Sequence, residues 1–540
     1  MLDIKKLNKA ILFVKNKDFD SAEKIYYELL RDNPNNDTVL SFWGLFNMKK
    51  GLFNKAEKIL ESAYKLKKAP STIAGLAYTK YKIKKYDDAI ILYEELFRYD
   101  KESEIIYQKI IECFRKLYMY DFANAYCRKY LASHPDSRHA LSLITQSYMD
   151  IKDFKKAEEY CARTLELYPD NPSSWINAGF LQELFYNNEE VAQECYKKAI
   201  ENKDNQGYYH LAVSLQKSGK YKEAEANYKK ALEYYPDDAD TKASLGALYW
   251  AMREFKNGYK YFTEGVREKL PDSLKKLNQP SDGKNLLVYC DQGLGDNIMY
   301  SRYLPYLKEK YPQMVVYSRK GLSQLFKRSF PNIEFLDEGL ENLTYDSSMF
   351  LSYVPYFLNM DFNNIPSSDG YLRADDTKIE EYHQKYFQTD KLKVGLCWKS
   401  GDMAIRAAIH RTINIDYLKP LLAMKNIEFY SFQKDDIFNS YEKYPQIINL
   451  SKEFKNFDDT AAAMKNLDLM ISVDTSNAHL AGSLGIKTIL LLPYCSDWRW
   501  FDNIQKTEWY NSVEIIKQED RHDWYIETDK LLKYINQLLK

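Results

Sequence analysis

The sequence carries no net charge and lacks the features of several large protein classes. Its 540 residues include 77 lysine and arginine against 77 aspartate and glutamate, so the formal net charge at pH 7 is +0. Because no overall positive field is present to attract phosphate backbones, we expect no nucleic-acid partner. No apolar run approaches the roughly 18 residues that a membrane-spanning helix needs, so we also expect no transmembrane segment.

Cysteine is sparse, and no two cysteines stand in a Cys-x-x-Cys pair. This pattern argues against a zinc ribbon and against a disulfide framework. Several of the cysteines fall in apolar helical stretches or at strand ends, which is typical of buried free thiols in a reducing compartment. No signal peptide is recognisable, and we expect a cytoplasmic protein. The seven cysteines are Cys113, Cys127, Cys161, Cys195, Cys290, Cys397 and Cys495.

Several common catalytic motifs are also missing. The sequence contains neither a P-loop nor the turn that carries a hydrolase serine. Metal-dependent enzymes that act on sugar nucleotides typically carry an Asp-x-Asp pair near a strand end. The two such pairs here, Asp18 with Asp20 and Asp238 with Asp240, fall at predicted helix starts. We therefore predict no metal ion and no cofactor.

What the sequence does contain is a helical repeat from about residue 8 to 271. An aromatic residue is followed, three positions later, by a small residue in every repeat except the sixth, where Glu189 replaces the aromatic. The small residues recur in steps of 34, 33, 36, 32, 35, 32 and 34. This period is typical of tetratricopeptide repeats, in which the small residue lies where two helices cross closely. The pattern predicts about eight helix pairs over residues 1–275, stacked as an α-solenoid with a concave face. The small residues are Ala22, Ala56, Ala89, Ala125, Ala157, Ala192, Ala224 and Gly258.

After a polar linker at 278–283, the pattern changes to apolar strands that alternate with helices. One alternation runs over residues 283–388 and a second over residues 389–540. The apolar runs predict strands at 286–289, 314–317, 333–336, 394–398, 428–431, 469–473 and 488–492, and a helix over 298–310. Continuous apolar strands separated by helices predict parallel sheets that are covered on both faces. The sequence therefore predicts an α/β domain of two Rossmann-like halves facing each other, an architecture called GT-B.

Two short segments at strand ends predict where a ligand binds. Residues 291–296 follow an apolar strand at 286–289, and residues 472–482 follow another at 469–473. A strand that ends in a small-residue turn and then opens a helix leaves backbone N–H groups free, which suits a phosphate. Two such turns, one in each half, predict a polar or anionic ligand between them.

These segments resemble the signature segments of the heptosyltransferase-like glycosyltransferases, family nine. The resemblance rests on Gly293, Gly295 and Asp296 in the first segment and on residues 474–481 in the second. Residues 394–401, 410–413 and 492–501 are similar to a subgroup in which this domain follows tetratricopeptide repeats, and the whole resemblance covers about residues 283–525.

The resemblance implies a metal-independent glycosyltransferase that takes a nucleotide sugar as substrate. Its protein acceptor, with flagellin as one candidate, would bind the concave face of the repeats. Ser476 stands where heptosyltransferases usually have glycine, so heptose is not implied as the sugar.

The candidate catalytic residues are Asp296, Lys399 and Arg411. The resemblance implies that Asp296 is the base that takes the acceptor proton, although its position also suits a helix cap. Lys399 and Arg411 are candidates to neutralise the departing phosphate, while the alternative for both is an ordinary solvated side chain.

A second group of residues is predicted to bind the donor. Its members are Gly293, Gly295, Gln433, Asp474, Thr475, Ser476 and His479. Thr475 and Ser476 would hold phosphate at a helix start or only cap that helix. Asp474 and His479 are candidates for sugar or ribose hydroxyls, with a buried core histidine as the alternative, and Gln433 is a candidate for the nucleotide base.

Two other functions remain open from the sequence. One is a non-catalytic repeat scaffold with an inert GT-B domain. The other is a glycosyltransferase that acts on lipopolysaccharide or another glycan, which would have less need of eight repeats.

Overall fold

The computed structural model describes residues 3–268, 285–340, 343–362, 364–366, 370–401, 411–434, 440–494, 496–500, 506–520 and 523–540. The chain forms two compact units, residues 1–204 and 205–540. The predicted linker at 278–283, Pro271, His410 and Cys495 lie outside the described residues. The domain limits 1–275, 283–388 and 389–540 therefore remain predictions.

In its described part, the first unit consists of helices packed in consecutive pairs. Helices α1–α12 are Ile4–Lys15, Phe19–Asp32, Asp37–Lys49, Phe53–Leu66, Pro70–Lys82, Tyr86–Leu96, Glu104–Lys116, Tyr120–Ser133, Arg138–Asp150, Phe154–Leu167, Pro172–Leu184 and Glu189–Glu201. Side chains cap several of them: Asp18 accepts a hydrogen bond from the Ser21 N–H, and Asn36 accepts one from the Val39 N–H, each at 3.1 Å. Such caps stabilise a helix by about 1 kcal/mol each.

The small residues predicted at the helix crossings are buried, with one exception. Ala22, Ala56 and Ala89 are fully buried, whereas Ala125 is exposed. The predicted position is wrong in the fourth pair, because Ala123 is the fully buried residue there. Helix α8 begins at Tyr120, as α2 begins at Phe19, so the aromatic residue of this pair is Tyr120 and not the 52% exposed Phe122.

The second unit begins with four more helices of the same kind. Helices α13–α16 are Gln206–Lys217, Tyr221–Tyr234, Ala239–Ala251 and Phe255–Glu268. Asp238 caps α15 by accepting a hydrogen bond from the Thr241 N–H at 2.8 Å. Both Asp-x-Asp pairs of the sequence thus stand at helix starts, as predicted.

Two parallel sheets follow in the second unit. Strands β1–β10 are Leu286–Tyr289, Val315–Tyr317, Glu334–Leu336, Ser347–Phe350, Leu392–Cys397, Ile427–Ser431, Ile447–Asn449, Leu469–Val473, Thr488–Leu492 and Val513–Lys517. The first sheet has the order β3-β2-β1-β4 and the second has the order β10-β9-β8-β5-β6-β7. Every described strand pair in them is parallel, which confirms the predicted α/β class.

Helices cover these sheets. Helices α17–α26 are Leu294–Ser301, Leu304–Lys310, Ser323–Ser329, Val354–Phe357, Asp376–Tyr386, Lys419–Leu422, Ser440–Lys443, Phe457–Met464, Ser476–Ser483 and Tyr525–Leu538. Short 3-10 helices span Leu351–Tyr353, Ile415–Leu418, Ser451–Glu453 and Trp498–Trp500.

The strand orders place one crevice in each sheet. The chain proceeds from β1 to β2 and β3 on one side and then adds β4 on the other side of β1. In the second sheet it proceeds from β5 outward to β7 and then adds β8 on the other side of β5. Such switch points leave a crevice at the carboxyl ends of the strands, where open parallel sheets bind ligands.

Hydrogen bonds and ion pairs hold the two halves of the α/β part together. Tyr371 and Leu372 donate their N–H groups to the Ser483 carbonyl, at 2.8 and 3.0 Å. Lys378 Nζ lies 2.6 Å from Asp459 Oδ1. These contacts hold residues 371–378 against helices α24 and α25 of the second half.

Candidate functional site

The two turns predicted to bind a ligand meet directly. A Cβ atom on Gly295 would lie 2.7 Å from Cδ2 of His479 and 3.3 Å from Cα of Ser476. Only glycine therefore allows helices α17 and α25 to approach so closely at their first turns. This contact brings the carboxyl end of β1 next to the carboxyl end of β8.

Asp296 forms an ion pair with an arginine from the far end of the chain. Arg499 Nε lies 2.6 Å and Nη2 2.5 Å from Asp296 Oδ1. No described residue forms a hydrogen bond with Asp296 Oδ2. The residue that precedes helix α17 is Gly293, and Asp296 is the third residue inside the helix, so Asp296 does not cap it.

Arg499 is shared between two carboxylates. Its Nη1 lies 2.5 Å from Asp497 Oδ1, and its side chain is 15% exposed. Burial acts to raise the pKa of Asp497, but the positive charges of Arg499 and Arg411, together with hydrogen bonds from Arg499, hold that pKa below its usual value. Arg499 is therefore the central cation of the site.

Asp474 lies at the carboxyl end of β8 and pairs with Arg411. The distance from Arg411 Nη1 to Asp474 Oδ2 is 3.2 Å, and Asp474 is 3% exposed. Burial raises the pKa of Asp474, and this effect outweighs the opposing charge of Arg411, while Asp497 adds to the rise. The site thus alternates acidic and basic side chains along the crevice.

Lys399 and Gln433 lie at the ends of the neighbouring strands β5 and β6. Lys399 donates its backbone N–H to Gln433 Oε1 at 2.9 Å, and Cys397 Sγ lies 3.6 Å from the same oxygen. Gln433 therefore holds the chain where it leaves β5. Its contact with a nucleotide base stays a prediction.

Thr475 precedes helix α25 without capping it through its side chain. Its Oγ1 instead lies 3.2 Å from Ser472 Oγ and 3.7 Å from Cys397 Sγ. The alternative that Thr475 serves only as a side-chain cap is therefore wrong. Thr475 and Ser476 are partly exposed, so this helix start remains accessible to a ligand.

His479 is a buried and neutral side chain. Its Nδ1 lies 2.9 Å from the Tyr510 hydroxyl, and its ring stacks on Trp500 with the centroids 4.9 Å apart. Burial, followed by the charges of Arg499 and Arg302, lowers the pKa of His479 to about 3. These contacts match the alternative of a core histidine, and contact with sugar hydroxyls stays a prediction.

The lowered pKa of His479 predicts a loss of stability in acid. Below the unfolded-state pKa of about 6.5, the unfolded chain binds a proton that the folded chain does not. The free energy of unfolding should then fall by about 1.4 kcal/mol per pH unit as the pH drops from 6.5 towards 3, with no effect above 6.5.

Urea unfolding at pH 7.5 and 5.5 measures this dependence. His479→Asn should reduce this pH dependence by the amount expected for one proton. An identical pH dependence in wild type and His479→Asn would show that His479 is not the responsible group.

Four important residues of this site had no role predicted from the sequence. These are Asp497, Arg499, Arg302 and Tyr510. The sequence contained a signal for Asp497 and Arg499, because these two charged residues alternate with Trp498 and Trp500. Arg302 had no such signal: it is 3% exposed, donates to the Trp509 carbonyl at 2.5 Å and lies 4.8 Å from the ring centroids of Tyr371 and Tyr510.

The described residues contain no group of three or more His, Cys, Asp or Glu side chains placed to hold a metal ion. In the same part of the chain, every helix is too short or too polar to cross a membrane.

A separate cavity of about 590 Å³ lies at the opposite edge of the first sheet. Its lining includes Asn285, Met314 and Ile333, which precede β1, β2 and β3. It is therefore at the amino ends of the strands, away from Asp296. Since parallel sheets bind ligands at the carboxyl ends of their strands, the site described above is the stronger candidate.

Comparison with known proteins identifies the repeats. The tetratricopeptide repeat profile matches residues 206–238, which include helices α13 and α14. Protein FlbA of Caulobacter vibrioides (strain ATCC 19089 / CIP 103742 / CB 15) is 26% identical over 278 residues. That match covers 45% of this chain and 44% of the relative, so the chain spans less than half of the relative's length.

Two solved structures are similar in part. A tetratricopeptide repeat protein from Parabacteroides merdae ATCC 43184 has a TM-score of 0.41 and 16% identity, covering 45% of this chain and 96% of that one. TTC0263, a tetratricopeptide protein of Thermus thermophilus, has a TM-score of 0.31 and 19% identity, covering 33% and 98%. With the profile match and the sixteen described helices α1–α16, the N-terminal part of the chain is a tetratricopeptide repeat array.

Proposed function

We propose that this protein is a metal-independent glycosyltransferase of GT-B architecture that transfers a sugar from a nucleotide-sugar donor to a protein acceptor. One observation carries the proposal. The turn after β1 and the turn after β8 meet at Gly295 and Ser476, and this places Asp296 beside an accessible helix start. A base and a phosphate-binding helix start are the two elements that glycosyl transfer requires.

Asp296 is suited to take the acceptor proton. Both contacts from Arg499 use Oδ1, so Oδ2 is available to an acceptor hydroxyl. As the acceptor oxygen bonds to the anomeric carbon, its proton passes to Asp296. At the same time, the bond from that carbon to the donor phosphate breaks and the nucleotide leaves with its electrons.

The departing phosphate needs positive charge and hydrogen-bond donors. The first turn of helix α25 supplies backbone N–H groups next to Thr475 and Ser476. Lys399 follows β5, the neighbour of β8 in the sheet, and the side chain of Arg411 is 31% exposed beside Asp474. These groups would stabilise the charge that develops on the leaving nucleotide.

A second function, that of a non-catalytic scaffold, is favoured by one specific observation. Asp296 and Asp474 are already paired with Arg499 and Arg411, and such pairs also occur in purely structural networks. Donor binding distinguishes the two functions, because an inert scaffold has no need to bind a nucleotide sugar.

The test is a thermal-shift assay with UDP-, GDP-, ADP- and CMP-sugars. A donor present at about 100 times its dissociation constant should stabilise the protein by about 2.7 kcal/mol. Lys399→Met should weaken the stabilisation by the donor. Its effect on the unfolding midpoint of the donor-free protein should be smaller. If no donor shifts the midpoint, the scaffold function is supported.

We also propose that the repeats of the first unit recruit the protein acceptor, with flagellin as a candidate, through their concave face. A fragment of residues 205–540 should then hydrolyse donor at the full-length rate but glycosylate the acceptor poorly. Counting modified sites by mass spectrometry measures the difference.

A fragment of residues 285–540 serves as the comparison. It lacks Trp250 and Tyr259, which belong to the core of the α/β part, so it should be less stable than the fragment of residues 205–540. Equal acceptor modification by residues 205–540 and by the full chain would show that the first unit does not select the acceptor.

A further inference from the structure

We infer that the last helix pair, α15 with α16, positions the Asp296–Arg499 ion pair, and that Trp250 is the positioning residue. The catalytic consequence of this inference rests on the proposed function, whereas the structural coupling does not. Nothing in a tetratricopeptide pair requires it to contact a neighbouring domain. Here Trp250 of helix α15 contacts Trp498, which lies in the same three-residue 3-10 helix as Arg499.

Trp250 lies between its own helix pair and the α/β part. It is 1% exposed, and its ring centroid lies 4.5 Å from that of Phe262 and 4.5 Å from that of Trp498. A Cβ atom on Gly258 would lie 2.2 Å from Cδ1 of Trp250, so the indole fits only because residue 258 is glycine. Gly258, the small residue of the eighth repeat, thus leaves space for Trp250 to contact Trp498 in the α/β part.

The 3-10 helix Trp498–Trp500 connects Trp250 to the candidate site, because Trp498 contacts Trp250 and Arg499 pairs with Asp296. The guanidinium carbon of Arg499 lies 4.6 Å from the ring centroid of Trp498. Trp509 donates its indole N–H to the Arg499 carbonyl at 2.7 Å. One turn of chain therefore presents Trp498 to the repeat, Arg499 to Asp296 and Trp500 to His479.

The loop and helix after Trp250 make two further contacts with the same region. Arg253 Nη2 lies 2.9 Å from a Glu508 carboxylate oxygen. The ring centroids of Phe255 and Phe362 lie 3.9 Å apart, and the Phe362 centroid lies 6.0 Å from that of Trp509. Because Trp509 also holds the Arg499 carbonyl, α15 and α16 support Arg499 from two directions.

The first test uses the full chain and donor hydrolysis without acceptor. Trp250→Leu should lower kcat about tenfold, because a small misplacement of a catalytic group costs one to two orders of magnitude. The donor KM should change less than about twofold, because Arg499 contacts Asp296 and not the helix start. Trp250→Phe, which keeps an aromatic ring, should restore most of kcat.

Trp43→Leu is the matched control. Trp43 is 4% exposed and stacks on Phe46 with the centroids 5.2 Å apart, but it belongs to the first unit. It should leave kcat per folded molecule unchanged. An equal loss of kcat in Trp43→Leu, or no loss in Trp250→Leu, would overturn the positioning role in catalysis.

The second test does not depend on activity. A double-mutant cycle combines Trp250→Leu with Arg499→Lys and follows the urea midpoint of the unit that contains both residues. The two shifts should be non-additive, whereas Trp43→Leu with Arg499→Lys should be additive. Additive shifts for Trp250 and Arg499 would overturn the coupling. Non-additive shifts in a protein that binds and cleaves no donor would refute the proposed function and support the coupling alone.

Discussion

Asp296→Asn should reduce donor turnover by about 10²–10⁴-fold while donor binding survives. Asparagine has nearly the same shape but cannot accept the acceptor proton, and a general base contributes about this much to a rate. The helix start that would bind the donor phosphate lies on α25, and Asp296 lies on α17. Turnover from released nucleotide and donor affinity from calorimetry are the two measurements.

Asp497→Asn is the matched control for this variant. Asp497 and Asp296 are each 2.5 Å from Arg499 at the closest, so both variants remove one negative partner from the same cation. Only Asp296 has a proposed proton-transfer role. A similar loss of turnover in the two variants would mean that charge balance around Arg499, and not a base at Asp296, explains the effect.

Arg499→Leu should destabilise the second unit by about 3 kcal/mol and abolish turnover. Removing one partner of a buried ion pair leaves uncompensated charge, which costs about 3–5 kcal/mol, and the 15% exposure of the Arg499 side chain favours the lower end. Asp296 and Asp497 would then face each other without a cation between them. Chemical unfolding, read at the tryptophans of this unit, measures the loss.

Arg499→Lys is the graded comparison. Lysine keeps the charge but cannot contact Asp296 and Asp497 with a planar fork of donors. It should retain more stability than leucine while losing part of the turnover. If Arg499→Leu unfolds at the same urea concentration as wild type, the ion network contributes nothing to the fold.

Much of the architecture followed from periodicity. The repeat period predicted the helix pairs, and apolar runs predicted strands at 286–289, 314–317, 333–336, 394–398, 428–431, 469–473 and 488–492, all of which contain strands in the structure. The strand prediction failed for strands that lack a long continuous apolar run. Strand β4 begins with two serines, β7 has three residues, and β10 carries a glutamate and a lysine.

The predicted boundaries of one helix were wrong for an identifiable reason. The apolar pattern predicts one helix over 298–310, but the structure has helices α17 and α18 with Pro305 at the start of the second. Proline cannot donate the hydrogen bond that a continuous helix needs. The break follows Arg302, which is buried against the ring of Tyr371 from the same half and the ring of Tyr510 from the other half.

The candidate site was predictable only in part. Asp474, Lys399 and Gln433 could be placed together because the carboxyl ends of adjacent parallel strands share one edge. Arg499 could not be paired with Asp296 from the sequence, because 203 positions separate them and the contact depends on how the two halves pack. Local patterns show which side chains reach an edge, whereas packing decides which of them form ion pairs.

The most direct test of glycosyl transfer is the release of free nucleotide from a panel of nucleotide sugars, measured by chromatography with water in place of the acceptor. We predict that the full chain cleaves at least one of the UDP-, GDP-, ADP- or CMP-sugars and that Asp296→Asn cleaves it about 10²–10⁴-fold more slowly. Release no faster than in buffer for every donor, or equal release by wild type and Asp296→Asn, would contradict the account.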